Sequence, residues 1–241
     1  MEESHEFIQR LKKNENLPMI TSCSPGWVNF VEHFYPEMIP NVSTCKSPMQ
    51  MLSTLSKTYF AEKTNRKPED IYMVAIMPCV AKKYEATRPE HYSPEGFPYT
   101  DAVLTTRELI WMIKAYGIDF ANLPDNDFDK PMGFSTGAGD IFGTTGGVME
   151  DGLRTAYDKI TGKELENINF HQVRAVDGLK EATVDIDGTE INIAVANGLN
   201  NAKIILDKVK NGEKNYHLIE FMACPGGCVA GGGQPIAHVE K

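Results

Sequence analysis

No stretch of this 241-residue sequence approaches the roughly 20 consecutive apolar residues that a membrane-spanning helix needs. The first residues, MEESHEF, are acidic where an export signal is basic. The expectation is a soluble, cytoplasmic protein with no membrane partner. An excess of positive charge is also missing. Lys and Arg number 24 against 33 Asp and Glu, giving a net charge of -9. A field of that sign repels phosphate backbones, so nucleic acid is not an expected partner. Cysteine is scarce, and Cys23, Cys45, Cys79, Cys224 and Cys228 are odd in number and widely spaced, so a disulfide framework is not expected. Two glycine-rich turns, at 135–140 and 143–148, lack the following Gly-Lys-Ser/Thr of a phosphate loop. What remains is ordinary globular composition in a length that suits one large α/β unit or two fused lobes.

Hydrophobic periodicity sketches the elements. Phe7, Ile8 and Leu11 share one face of a helix over 4–13, and Leu17 to Ile20 read as a short buried strand leading to Cys23. Pro48 opens an apolar-periodic helix to about residue 64. Residues 71–77 form a continuous apolar run, read as a buried strand ending at Pro78-Cys79. A strand over 101–105 follows, with Thr105 or Thr106 capping a helix to Tyr116. Later come a helix over 148–162, a hairpin over 183–196 turning at Asp187-Gly188, a helix over 198–210 and a strand over 216–222. The alternation of strand and helix predicts mostly parallel sheet covered by helices, with ligands gathering beyond the carboxyl ends of strands. Four of the five cysteines fall there.

Cys45 fits that scheme least and reads as a small apolar packing residue. Cys79, Cys224 and Cys228 are each flanked by Pro or Gly in loops after strands. Soft thiolates converging from separate segments suit an iron-sulfur cluster, and the glycines of Cys224-Pro225-Gly226-Gly227-Cys228 let main chain approach one. Structural zinc usually takes close C-x-x-C pairs, so iron-sulfur ranks above zinc, which stays open as a third reading.

Three segments then fall in order: Thr21-Ser22-Cys23-Ser24-Pro25-Gly26-Trp27; Met77-Pro78-Cys79-Val80-Ala81-Lys82-Lys83-Tyr84-Glu85; and Glu220 through Cys228, running on to Gly231-Gly232-Gly233-Gln234-Pro235. Together they resemble the three signature motifs of the iron-only (FeFe) hydrogenase catalytic domain, over nearly the whole chain. The resemblance implies an α/β fold of two lobes of mostly parallel sheet flanked by helices, with the metal site between them. It also implies a 4Fe-4S cluster sharing a cysteine sulfur with a di-iron subcluster that carries carbonyl, cyanide and dithiolate ligands. Cys228 would be the bridging ligand, with Cys79 and Cys224 as further ligands, and Lys82 would donate to a cyanide. Pro48, Met77, Phe142, Val148 and Met222 would pack around the di-iron center. Cys23, Glu3, Ser43, Glu6 and Arg10 would relay protons, with Arg10 near the surface.

The resemblance departs at Ser24, where the family commonly has a second, cluster-ligating cysteine. Ser24, Cys23 or Cys45 is left to fill that place, and a serine oxygen is a harder ligand than iron-sulfur iron prefers. The chain, 1–241, also reads as a catalytic core lacking the amino-terminal ferredoxin-like domains and the usual carboxyl-terminal extension. Expected partners are ferredoxin or NAD(P)-linked electron-transfer subunits and cofactor maturation proteins. The implied activity is reversible reduction of protons to hydrogen. The alternative is a non-catalytic iron-sulfur protein of the same superfamily, in cluster assembly or hydrogen sensing.

Overall fold

The computed structural model describes residues 1–134, 137–163 and 178–236. Ser135 and Thr136, which open the first glycine-rich turn, lie outside the described residues. In chain order the elements are α1 Glu2–Lys13, β1 Met19–Ile20, α2 Pro25–Phe34, α3 Pro48–Leu55, α4 Ala61–Lys63, β2 Val74–Met77, α5 Ala81–Ala86, β3 Ala102–Thr105, α6 Thr106–Ala115, α7 Ala138–Ile141, α8 Gly147–Thr161, β4 Leu179–Ile186, β5 Thr189–Asn197, α9 Leu199–Lys210 and β6 Leu218–Met222. They sort into two compact units, Met1–Lys46 with Gly137–Ala230, and Ser47–Thr136 with Gly231–Lys241.

The first unit is a three-layer α/β/α sandwich. Its sheet runs β1-β6-β5-β4, with β1 and β5 parallel to β6 and β4 antiparallel to β5. The β4–β5 hairpin turns where expected, because Asp187 and Gly188 both take the positive φ that a tight two-residue hairpin turn requires. Strand alternation then decides what each layer covers. Ile191, Ile193, Val195 and Leu218 meet Phe7 and Ile8 of α1 and Met149 and Leu153 of α8. Ala194, Ala196, Ile219 and Phe221 meet Trp27 and Val31 of α2 and Ala202, Ile205 and Leu206 of α9. Trp27 is fully buried, donates its indole N–H to Thr21 O at 3.0 Å and packs on Phe221 with ring centroids 4.3 Å apart. Each such side chain contributes roughly 1.5–3 kcal/mol by leaving water.

α1 owes its ends to charge and backbone geometry. Glu2 and Glu3 sit in the first turn, Arg10, Lys12 and Lys13 in the last, and Asn14 closes the helix at φ 53°. Both charge sets complement the helix dipole.

The second unit has a small apolar core of Met49, Ala86 and Val103, with Ala75 and Met77 packed beside it. Polar contacts do much of its joining. Lys57 is buried and donates to Asp101 Oδ1 at 2.7 Å and Pro98 O at 2.8 Å, while Asp101 Oδ2 accepts from Met73 N at 2.6 Å. Thr105 caps α6, accepting from Glu108 N at 3.2 Å and donating its own N–H to Glu108 Oε2 at 2.8 Å. The helix from Pro48 continues as expected, through a π turn at Ser56–Phe60 into α4.

The run over 71–77 corrects one expectation. Only Val74–Met77 is strand, and it is not buried: Val74 is 43% and Ile76 42% exposed. Among the described residues β2 pairs with β3 alone, in a two-stranded parallel sheet, so no second neighbor covers these side chains.

Candidate functional site

α1 sets Glu3, Glu6 and Arg10 at i, i+3 and i+7, which share a helix face. Glu6 Oε1 accepts from Arg10 Nη2 at 2.6 Å, Oε2 accepts from the Ser43 hydroxyl at 2.8 Å, and Thr44 N donates to both oxygens at 3.1 and 3.0 Å. Burial alone would push Glu6 up, but Ser43, Thr44 N and Arg10 together hold it below the usual carboxylate range. Arg10, expected near the surface, is largely buried. It is 9% exposed and donates to the carbonyls of Asn16 (3.0 Å), Pro40 (3.3 Å), Asn41 (3.0 Å) and Val42 (3.0 Å). That fork of donors pins 40–42 against α1 and delivers Ser43 to the acids.

Glu3 extends the chain inward. It is hydrogen-bonded to the Ser43 hydroxyl and to Ser22 N, next to Cys23, and burial raises its carboxyl above the ordinary value. Ser22, Glu3, Ser43, Glu6 and Arg10 thus stand in one connected series.

Cys45 belongs to the same network rather than to a plain core. Its N–H donates to Ser43 Oγ at 3.2 Å, its carbonyl accepts from Ser22 Oγ at 2.6 Å and its thiol lies 3.7 Å from Glu6 Oε2. Burial, with the charges of Glu3 and Glu6, pushes that thiol up to about 11, so it stays protonated.

The other first-unit candidates lie beyond β1 and β6. Cys23, Cys224 and Cys228 are half-buried and take part in no disulfide. The 224–228 loop is fixed by the turn that enters α8: Thr145 N donates to Gly226 O at 3.3 Å and Val229 N to Gly143 O at 2.9 Å. Gly227, at φ 96°, allows this approach, since a Cβ there would stand 2.7 Å from Gly143 O and Thr145 N. Ser24 is buried, and its hydroxyl accepts from Ala223 N at 3.3 Å, at the doorstep of Cys224. Val148 and Met222 are buried and Phe142 half-buried. Soft thiols on a glycine loop fit an iron-sulfur cluster. Among the described residues no three His, Cys, Asp or Glu are placed to hold a single metal ion, an arrangement distinct from thiolates spread around several irons.

In the second unit Cys79 is a half-buried free thiol after β2, and Gly233 N donates to the neighboring Pro78 O at 2.8 Å. Lys82 is 4% exposed and donates to Glu85 Oε2 at 2.6 Å, while the Ser47 hydroxyl donates to Glu85 Oε1. Pairing at i, i+3 fixes the position of this buried side chain. Pro48 stands exposed at the start of α3 and Met77 is half-buried.

Two residues escaped the sequence reading. Glu85 stands within the second motif, and its signal is the i+3 spacing from Lys82. Glu220 is fully buried on β6, and its signal was a single acid inside the apolar strand Leu218–Met222.

An α/β/α sandwich that carries cysteine loops past its parallel strands, with acids beside them, fits an iron-sulfur domain. The chain belongs to the family described as iron only hydrogenase large subunit, C-terminal domain, whose model matches residues 1–232. It is 54% identical over 237 residues to the periplasmic Fe hydrogenase large subunit of Nitratidesulfovibrio vulgaris, covering 98% of this chain and 56% of that protein. Over 244 residues it is 51% identical to the NADP-reducing hydrogenase subunit HndD of Solidesulfovibrio fructosivorans, covering 99% of this chain and 41% of that one. Among solved structures, an apo variant of the FeFe-hydrogenase HydA1 of Chlamydomonas reinhardtii superposes with a TM-score of 0.86 at 42% identity, covering 100% of this chain and 68% of that one. The chain thus spans about half the length of the curated relatives it matches. The family implies iron-sulfur cofactors.

Proposed function

We propose that this chain is the catalytic part of an enzyme that interconverts two protons and two electrons with molecular hydrogen. The observation that carries the reading is the buried path from Ser22 beside Cys23 through Glu3, Ser43 and Glu6 to Arg10, because an iron-sulfur protein that only stores or passes a cluster has no use for it.

Cys79, Cys224 and Cys228 would hold a 4Fe-4S cluster, Cys228 would bridge to a di-iron subcluster, and Ser24, Cys23 or Cys45 would complete the set. When bound, that assembly supplies the redox chemistry at iron. The chain's own residues do the rest. Lys82, positioned by Glu85, would donate a hydrogen bond to a cyanide ligand. Phe142, Val148, Met222, Met77 and Pro48 would exclude water around the subcluster. Cys23 would pass protons to and from the bound metal group, fed by Glu3. Glu6, low in proton affinity and anchored by Arg10, would exchange protons with the outer end of the path.

Electron-transfer subunits and maturation proteins, a ferredoxin or an NAD(P)-linked subunit among the former, belong to this proposal, as does a cytoplasmic location. No helix among the described residues is long and apolar enough to cross a membrane, and one relative is named as periplasmic.

The test is Glu6→Gln and Glu3→Gln in anaerobically matured protein. Removing a positioned proton carrier is expected to cut hydrogen turnover by about 10²- to 10⁴-fold while the cofactor's infrared bands persist. Undiminished turnover in both variants would contradict the path.

A further inference from the structure

β6 is buried along its whole length, and Glu220 is its one charged residue. Strand alternation sends Glu220 and Met222 to the side of the sheet where Leu218 meets α1 and α8. On β5, Val195 and Asn197 stand in register beside Glu220 and Met222, so Asn197 faces the same layer. Two buried polar side chains, Glu220 at 0% and Asn197 at 3% exposed, therefore rise from adjacent strands toward α8.

Both reach the turn that enters this helix. Glu220 Oε1 accepts from Gly146 N at 2.6 Å and Oε2 from Met149 N at 2.7 Å, while Asn197 Nδ2 donates to Thr145 Oγ1 at 3.2 Å. Gly146, in the cap position of α8, has no side chain to serve those amides. The same turn also carries the cysteine loop, since Thr145 N donates to Gly226 O and Val229 N to Gly143 O. Thr145 is thus held through its side chain by the sheet and through its backbone by the loop between Cys224 and Cys228. Gly146, the residue held by Glu220, follows it directly.

The acid at 220 has a chemical reason. Two amide donors aimed at two different oxygens need two acceptors, and an ionised carboxylate sets no proton against either. A glutamine of the same size would offer one acceptor oxygen and turn its NH2 group toward the other amide. A buried donor left without an acceptor bears the full cost of its desolvation.

We propose that Glu220 and Asn197 form a clamp on residues 145–149 that sets the shape of the 224–228 loop, which makes both of them positioning residues for Cys224 and Cys228. The use of that order for holding a cluster rests on the proposed function, whereas the order itself does not.

The experiment is alkylation of the full chain, without cofactor, by iodoacetamide, with the rate at each cysteine read by mass spectrometry in the parent, Glu220→Gln and Asn197→Ala. Cys45 is the internal reference, because its contacts are Ser43, Ser22 and Glu6, none of which the clamp holds. Both variants should raise the rates at Cys224 and Cys228 about tenfold, the scale on which loss of one buried hydrogen bond eases local opening, while Cys45 keeps its rate. Hydrogen exchange over 143–149 should quicken in step. If Glu220→Gln unfolds the chain and all the cysteines speed up together, Asn197→Ala carries the test, since it leaves the α8 amides on Glu220. Rates at Cys224 and Cys228 that only keep pace with Cys45 in both variants would overturn the clamp, and a rise in one variant alone would strike the other residue from it.

Anaerobic reconstitution with iron and sulfide separates the clamp from the cluster. In Glu220→Gln the electron paramagnetic resonance g values of the reduced cluster should shift, because ligand orientation and hydrogen bonding at sulfur set its electronic state. Identical spectra beside faster alkylation would overturn the positioning role toward a cluster. A parent that binds no iron and sulfide would sink the cluster reading and leave the clamp standing.

Discussion

A carboxyl that is harder to ionise folded than unfolded weakens the fold as pH rises. Glu220 goes from an ordinary value of 4.5 to about 7, so between those limits the unfolded chain has released a proton that the folded chain keeps. Its contribution is complete below about pH 4.5 and is lost as pH climbs to about 7. Glu6, held low, acts in the opposite sense: its contribution is present above its ordinary value and is lost as pH falls further. Urea midpoints measured across the neutral window should therefore decline toward pH 7 in the parent and flatten in Glu220→Gln. An equal slope in both would contradict the assignment. Ser24 makes a second prediction at this scale, since a thiolate suits iron-sulfur iron better than a serine oxygen. Ser24→Cys should raise the iron and sulfide retained after anaerobic reconstitution, and unchanged content would show that another residue holds that place. Lys82 was legible because it sits inside a motif, whereas Glu3, Glu6 and Ser43 were expected only through the family resemblance. The burial of Arg10 was not, since it depends on four carbonyls that only the folded chain delivers.

Between residues and the whole, the turn from Gly143 into α8 is where the Glu220 carboxyl and the cysteine loop meet. Gly227→Ala would drive a Cβ into Gly143 O and Thr145 N at a positive φ, a strain on the order of 1–3 kcal/mol. The expected result is a lower melting temperature together with reduced cluster content, and wild-type cluster retention would count against the loop's role. Away from that site, Thr105→Ala removes half of the α6 capping box and should cost about 1 kcal/mol in urea unfolding. A cost near zero would mean that Glu108 alone holds that end. Such local devices explain which elements could be read in advance. The Asp187-Gly188 hairpin, the Thr105 cap and the Pro48 start each carry their own backbone instruction. The run over 71–77 carried none, because an apolar run does not reveal how many neighbors a strand will find, and among the described residues β2 found one.

For the molecule as a whole, the order of three distant motifs was the decisive information, and it was complete in the sequence. Charge and composition narrowed the partners but did not select a reaction. The central claim is that this chain holds a di-iron center bearing carbonyl and cyanide ligands beside a thiolate-bound cluster. Infrared spectroscopy of the protein matured anaerobically with its cofactor machinery tests that claim most directly. The account predicts carbonyl and cyanide stretching bands that vanish in Cys228→Ala and shift in Lys82→Ala. A protein that retains iron and sulfide after full maturation yet shows no such bands would contradict it.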